Sequence, residues 1–488
     1  MMFDTFDDEP PPKKCTPVSD IGAYLNLLRS NRNYRLYLFS HICQHTGDWM
    51  VQIASLLSVE KLAPGSGTAI SILFASKVTT EILVTPIGGI LADRYDRRKL
   101  MIILDSIASV VVLSYVFAHR MDNIVYLYAA TVLRAIISSL YTPVTTSITP
   151  LFASNAEDLK RINTLNGMAW ATMLIFGGLF AGFVTTIIGV EACYLFDSFT
   201  FVLSIVFVLR IQGDFKAASK DHTIESIFDV HQIKDSDRKT IPSRIRGFIR
   251  RCLNPLRSLL EMSRELFVYL STCGFGMLVF MKASGTVTWG SEDVLNVLLT
   301  MVPDDEEESS RRLGILYSCQ GVGSLLGPIL ANTFIIDGNS PHTMQFACIS
   351  AFAVVIMGWV GIANSPNFKL VCFFTFVRCL GGSIIWINST LLLQNLTSAD
   401  MLGRVIAYDS TFASFFEAGI GFIAGFETDQ GYGKQGISYL SASIGGFLLA
   451  FWSAYHLFGQ GAAKKRFVDE EILLRRGSID ILHSPTLV

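Results

Sequence analysis

Apolar segments of membrane-crossing length recur along this chain, each closed by a short polar turn. A helix needs about 20 mainly apolar residues to cross the hydrocarbon core of a bilayer. In lipid the backbone must satisfy its own hydrogen bonds, so an unbroken apolar run of that length is helical. The segments lie near 34–58, 66–91, 98–119, 124–150, 164–187, 190–212, 266–290, 313–335, 342–364, 368–394, 402–426 and 436–458. Six are followed by a polar stretch of about fifty residues and then by six more. Those at 34–58 and 266–290 are the most diluted by polar residues. Of the 488 residues 51% are apolar and only 16% charged, with a mean hydropathy of +0.44. Soluble proteins carry about 25% charged residues, and one soluble core stops growing near ~250–300 residues. Lipid is therefore the expected solvent, and the fold class is an all-α membrane protein with twelve transmembrane helices.

Lys and Arg decide how such a bundle sits in the membrane. With both ends of the chain placed inside, 28 of them fall on the cytoplasmic side and six outside. The inner set includes Arg29, Arg32, Arg35, the run from Arg94 to Lys99, Lys160, Arg161 and Arg404. Eleven more lie between Lys216 and Arg264. The start, MMFDTFDDEPPPKKC, is acidic and proline-rich and lacks the basic and apolar regions of a signal peptide. The expected organisation is a cytoplasmic tail over 1–33, partly disordered up to residue 30, and a six-helix bundle over 34–212. A cytoplasmic linker over 213–265, a second bundle over 266–458 and a cytoplasmic tail over 459–488 follow. The linker holds a basic amphipathic stretch, KTIPSRIRGFIRR, suited to an anionic inner leaflet. The acidic run 302–312 reads as a solvated outer loop. The plasma membrane is the expected residence and an internal membrane the alternative.

The two sets of six look duplicated. Gly88–Lys99 reads GGILADRYDRRK, and Gly327–Asn332 reads GPILAN. Leu133-Arg134 is echoed by Val377-Arg378, and Leu159–Ile162 (LKRI) by Leu402–Val405 (LGRV). Three echoes at offsets of 239, 244 and 243 residues, in order, argue for a parallel repeat, whose substrate site lies between the halves near the bilayer midplane. Gly89-Ile90-Leu91-Ala92-Asp93-Arg94-Tyr95-Asp96-Arg97-Arg98 resembles the hallmark loop of the major facilitator superfamily. Asp96 stands where that family usually has glycine, as in its enterobactin and multidrug exporter branch. Asn33-Tyr34-Arg35, Gly47-Asp48-Trp49, Leu159–Asn166, Leu195–Ser198 and Gly403-Arg404-Val405 are similar to that branch too. The resemblance covers about 33–458 and implies the major facilitator fold, two pseudo-symmetric six-helix bundles, and a transporter. It implies a gating loop of Gly89, Asp93, Arg94, Asp96, Arg97 and Arg98. Asp93 is expected to meet the start of the eleventh span, and Asp96 to hold the arginines in place. The small residues Gly88, Gly89 and Ala92 are expected to permit close helix packing.

Ionisable residues in mid-span cost about 2.5–3.5 kcal/mol each on insertion scales, so they face a cavity or a partner. This chain has Asp48, Lys77, Glu81, Arg134, Asp197, Lys282, Arg378 and Glu417. Of these, Asp48, Lys77, Glu81, Arg134, Lys282, Arg378 and Glu417 are the candidates for a substrate or proton pathway. Lys77 and Glu81, four apart, are expected to pair with each other. Asp48 and Glu417 have no evident partner on their own helices and are the first candidates to carry protons. Asp197 reads as structural. Asp105 and Asp409 read as nearer the inner surface. Arg134 and Arg378, as symmetry mates, are expected to hold an anionic substrate, to tune a carboxylate, or to pair with carboxylates across the halves. His41 and His45 share a face, with no third metal ligand in sight. Trp49, Trp170 and Trp386 are candidate lining residues. The nine cysteines lack metal-ligand spacing, and no phosphate-binding loop is present, so no metal and no cofactor is expected. A net charge of −2 gives no sign of nucleic-acid binding. No nucleophile–base set points to an enzyme. The expectation is a monomeric secondary transporter, driven by protons, that exports a small organic or amphiphilic molecule. Lipid or lysophospholipid movement, or a non-transporting sensor or scaffold on the same fold, are the alternatives.

Overall fold

The computed structural model describes residues 21–213, 215, 276–303, 305–335, 341–397 and 399–459, and the described residues contain no strand. A short helix α1 (Ile21–Ser30) precedes the long helices α2 (Arg32–Leu62), α3 (Gly67–Arg94), α4 (Arg97–Arg120), α5 (Ile124–Ile148), α6 (Ala156–Ile187) and α7 (Val190–Leu209). After the linker come α8 (Phe280–Trp289), α9 (Glu292–Thr300), α10 (Glu306–Phe334), α11 (Pro341–Asn364), α12 (Phe368–Leu396), α13 (Ala399–Asp429) and α14 (Lys434–Ala454). Nine of the described helices are long and apolar enough to cross a membrane. The more polar α2, α13 and the pair α8–α9 pack among them. Large apolar side chains such as Val110, Phe199 and Phe447 are well exposed on the outside, as a bilayer-facing surface requires.

Polar caps cut the apolar runs into helices. Side chains of Asn31, Ser66, Asp96, Asn123, Asn155, Asp305 and Asn367 each accept a backbone N–H from the first turn that follows, supplying partners to otherwise orphaned donors. The caps carry the duplication. Ser66 and Asp305 lie 239 residues apart, as do Gly88 and Gly327, while Asn123 and Asn367 lie 244 apart.

Packing repeats with the sequence. In the first half α2 packs on α6 and α7, α3 on α5, and α4 on α5 and α7; in the second, α8 packs on α13 and α14, α10 on α12, and α11 on α12 and α14. Each pairing recurs six spans later. Two extensive pairings join the halves, α3 with α13 and α6 with α10, beside smaller contacts of α2 with α9 and α10 and of α3 with α9. Small residues permit both extensive pairings. A Cβ at Gly67 would lie 2.8 Å from Gly425 Cα, and one at Gly314 would lie 2.6 Å from the Gly178 carbonyl oxygen. Ser71 donates to the Gly421 carbonyl (2.7 Å), Ser318 to that of Ile175 (2.8 Å), and Thr68 N–H to Asp429 (3.2 Å). These bonds, with those of Ser66 to Asp429 and Thr186 to the Glu307 carbonyl, lie in the part of the bundle toward the Ser66 end, away from Arg97.

Several sequence expectations change. Residues 21–30 of the expected tail form the helix α1. The seventh span does not stop at residue 290: it is interrupted at Gly290-Ser291 and resumes as α9 through Thr300. The acidic run 302–312 is no free loop, because Asp305 caps α10 and Glu306–Glu308 form its first turn, where acidic groups suit the helix dipole. Glu308 pairs with Arg311 and Arg312 one turn on. Most of the linker and the terminal tails lie outside the described residues.

Candidate functional site

His41, Gln44, His45 and Asp48 recur every three or four residues along α2 and so share one face. They look across at Arg134, Ser138, Tyr141 and Thr145 of α5, with Asp105 of α4 and Phe201 of α7 closing the sides of a cavity of about 250 Å³. Asp48 pairs with Arg134. The carboxylate side chain is 42% exposed and the guanidinium 13%, so the acid faces the open space and the base lies behind it. Arg134 rests over the Phe201 ring, 4.8 Å from its centroid. His45 Nδ1 lies 3.6 Å from Asp48, and the His41 and His45 rings are 4.1 Å apart. No group of three metal-ligating side chains occurs among the described residues.

Deeper in the same half, Asp105 is buried and accepts from Gln44 (2.5 Å) and Ser204 (2.8 Å). Gln44 also donates to the Tyr141 hydroxyl (2.7 Å). Asp105 is thus a member of the cavity, eight residues into α4 from its Arg97 end. Asp197 is fully buried: Oδ1 accepts from Thr200 (3.2 Å) and Oδ2 has no partner. A Cβ at position 47 would overlap that carboxyl, which gives Gly47 a packing reason to precede Asp48.

The second half repeats the main pair. Glu292 opens α9 just past the interruption and accepts from Arg378 of α12 (2.7 Å). Arg378 sits 4.7 Å from the Trp359 ring centroid. Asp48 and Glu292 lie 244 residues apart, as do Arg134 and Arg378, and each acid precedes its arginine by 86 residues. The arginines therefore pair within their own halves and not across them, and Asp48 has its partner on another helix. Glu292 was the residue that sequence reasoning missed. The offset that matched the arginines, applied to Asp48, points to it. Beside it Asp293 accepts from the Tyr317 hydroxyl (2.7 Å). Lys282 of α8 and Asp409 of α13 form an ion pair with side chains 3% and 0% exposed, and Lys282 lies 4.9 Å from the Trp386 centroid. Asp409 is buried in the second half, ten residues into α13.

Lys77, Glu81 and Glu417 belong to α3 and α13, the helices that join the halves. Lys77 and Glu81 form no ion pair with each other among the described residues. The charge of Lys77 instead acts on Asp48, Asp293 and Glu417, each on a different helix. A helix-face argument sees only neighbours on one helix and misses such charge interactions across the bundle. Trp49 spans the halves, with ring centroids 6.2 Å from Trp170 and 5.8 Å from Tyr317.

The charged turn after α3 is built from local bonds. Asp96 caps α4, accepting from Lys99 N–H (2.9 Å) with extended backbone angles. Its backbone needs no glycine, and among the described side chains it forms no ion pair with Arg97 or Arg98. Arg98 donates to the carbonyls of Val208 (3.1 Å) and Leu209 (2.6 Å), closing the C-terminal end of α7. Arg97 is buried, and its Nε has no partner. A Cβ at Gly88 would lie 2.8 Å from the Ser139 carbonyl oxygen, whereas one at Gly89 meets nothing within 4 Å. Close packing thus belongs to Gly88 and to Ala92, which is buried. The side chains of Asp93, Arg94 and Arg404 lie outside the described residues, and the expected Asp93 contact with them.

Residues 37–301 match the family model described as Major Facilitator Superfamily. The chain is 22% identical over 229 residues to the uncharacterized MFS-type transporter YfiS of Bacillus subtilis (strain 168), covering 46% of this chain and 54% of that relative. It is 21% identical over 406 residues to the multi-drug resistance efflux pump PmrA of Streptococcus pneumoniae, covering 80% of this chain and 88% of the pump. Among solved structures, the nucleoside transporter NupG matches with a TM-score of 0.62 at 10% identity, over 87% of this chain and 98% of that one. A bacterial homologue of the iron transporter ferroportin, solved in an inward-facing state, matches with a TM-score of 0.60 at 12% identity over the same shares. With the repeated helix packing and the matched stretch of more than half its length, the chain belongs to the Major Facilitator Superfamily and is a multi-pass integral membrane protein.

Proposed function

We infer that this protein is a secondary transporter that works by alternating access, exporting a small organic or amphiphilic molecule in exchange for protons. The observation that carries this reading is a set of paired charges in the middle of an apolar bundle, in both halves of the repeat. A bilayer protein retains such groups where they serve a pathway. Asp48, with its carboxylate facing the cavity and its guanidinium partner behind, is the leading proton site, and Glu417 is the second candidate. By the distribution of Lys and Arg, the Arg97 end is cytoplasmic. The halves touch through hydrogen bonds toward the opposite end, which fits a cavity that opens inward. PmrA's description as an efflux pump favours export.

The test begins with metabolites compared inside and outside cells with and without the protein. A compound whose distribution changes is then loaded into vesicles holding the purified protein under a pH gradient. Flux that collapses on adding a protonophore is expected. Flux indifferent to the protonophore would leave passive movement, and no changed compound at all would favour a sensor or scaffold. Asp93 is the proposed latch to the start of α13 in the outward-open state. Asp93→Asn is expected to insert normally and lose most of its flux, and an unaltered flux overturns the latch.

A further inference from the structure

We propose that the Glu292–Arg378 pair is a second proton-binding site, the counterpart in the second half of Asp48–Arg134, so that two protons act on one transport cycle. The proposal rests on the proton-coupled reading above and adds a site to it. Four observations support the equivalence. The acids are 244 residues apart and so are the arginines. Both pairs join the first span of their half to the fourth. Both guanidiniums lie against an aromatic ring, at 4.8 Å in one half and 4.7 Å in the other. In both, the carboxylate is the more accessible partner: 42% against 13% for the first pair, and 21% against 3% for the second.

The second pair also sits where the chain can move. Glu292 follows directly on the break at Gly290-Ser291, so α9 can turn against α8 and draw the carboxylate from Arg378. A buried carboxylate parted from its guanidinium is costly as an anion, and a proton from water in the cavity neutralises it. The groups that interact electrostatically with Glu292 are Arg378 and Cys379 of α12, Asp293 beside it, Tyr317 of α10 and Glu417 of α13. Arg378 is the cation in direct contact; the acids among the others add to the cost of an unpaired Glu292 anion.

Hydrogen–deuterium exchange on the full chain in lipid nanodiscs tests this with protons as the only ligand. Protection of the α3–α13 and α6–α10 contacts is followed from about pH 5 to about pH 8, corrected for intrinsic exchange. If one concerted change between the two conformations takes up both protons, its pH dependence approaches a steepness of about two protons. Glu292→Gln is expected to reduce this to about one, Glu292→Asp to restore it, and Asp48→Asn with Glu292→Gln to leave protection flat with pH. Where Glu292→Gln does not fold, Glu292→Gln with Arg378→Gln removes both charges and takes its place, with the same expectation. A wild-type steepness of one, or a Glu292→Gln response equal to wild type, overturns the second site alone. No pH response in the wild type overturns both this proposal and the proton-coupled reading.

Discussion

Single residues in this protein often do a different job from the one their charge advertises. Asp96 lies in a basic cluster yet serves as an N-cap, accepting from Lys99 N–H. Glycine is also accepted at N-cap positions. Asp96→Ala is expected to cost about 1 kcal/mol of stability and Asp96→Gly only a few tenths, read from thermal unfolding in detergent. Lys282–Asp409 belongs to another class, that of the desolvated pair. Lys282→Met leaves a buried carboxylate unpaired and is expected to cost about 3–5 kcal/mol. Lys282→Met with Asp409→Leu is expected to recover most of that loss, because two apolar groups demand no partner. Equal destabilisation in the single and double variants would show that the pair contributes through packing alone.

At the scale of elements, glycines set how closely helices approach, and the effect is position-specific. Gly88 lies against the backbone of α5 at Ser139 and Leu140, while its neighbour Gly89 meets open space. Gly88→Ala is expected to destabilise by about 1–3 kcal/mol through overpacking. Gly89→Ala is expected to be neutral or slightly stabilising, since alanine favours the helix. Unfolding midpoints of the two variants, measured side by side, check the contrast. Gly327 packs against Leu380 of α12 as Gly88 packs against α5, so the duplicated motif is a packing device in both halves. Only the first half adds the charged turn. The interruption at Gly290-Ser291 is the main departure of the second half from the first, since α2 runs unbroken from Arg32 to Leu62.

For the whole molecule, the two main seams between the halves, α3 on α13 and α6 on α10, set what can move. Ser71 and Gly425 approach each other where α3 crosses α13. Cysteines at both positions, Ser71→Cys with Gly425→Cys, are expected to form a disulfide across the halves under mild oxidation. Alternating access predicts that flux then falls to background and returns with reductant. Flux unchanged by a complete cross-link would show that this end does not open during transport.

The sequence by itself determined the membrane-helix class, the duplication and the expected orientation. Apolar run length and Lys/Arg bias are local properties, readable without knowing which helix meets which. It also marked Asp48, Arg134, Lys282 and Arg378 as residues needing partners, because a lone charge in lipid is expensive. Tertiary structure decided who those partners are. Asp48 meets Arg134, Glu292 meets Arg378 and Lys282 meets Asp409, each on another helix of the same half. Lys77 and Glu81, neighbours on one helix face, do not pair. Ion pairing depends on distances across the bundle, and these follow from how glycines and caps set the helices against one another. No reading of one helix at a time supplies them.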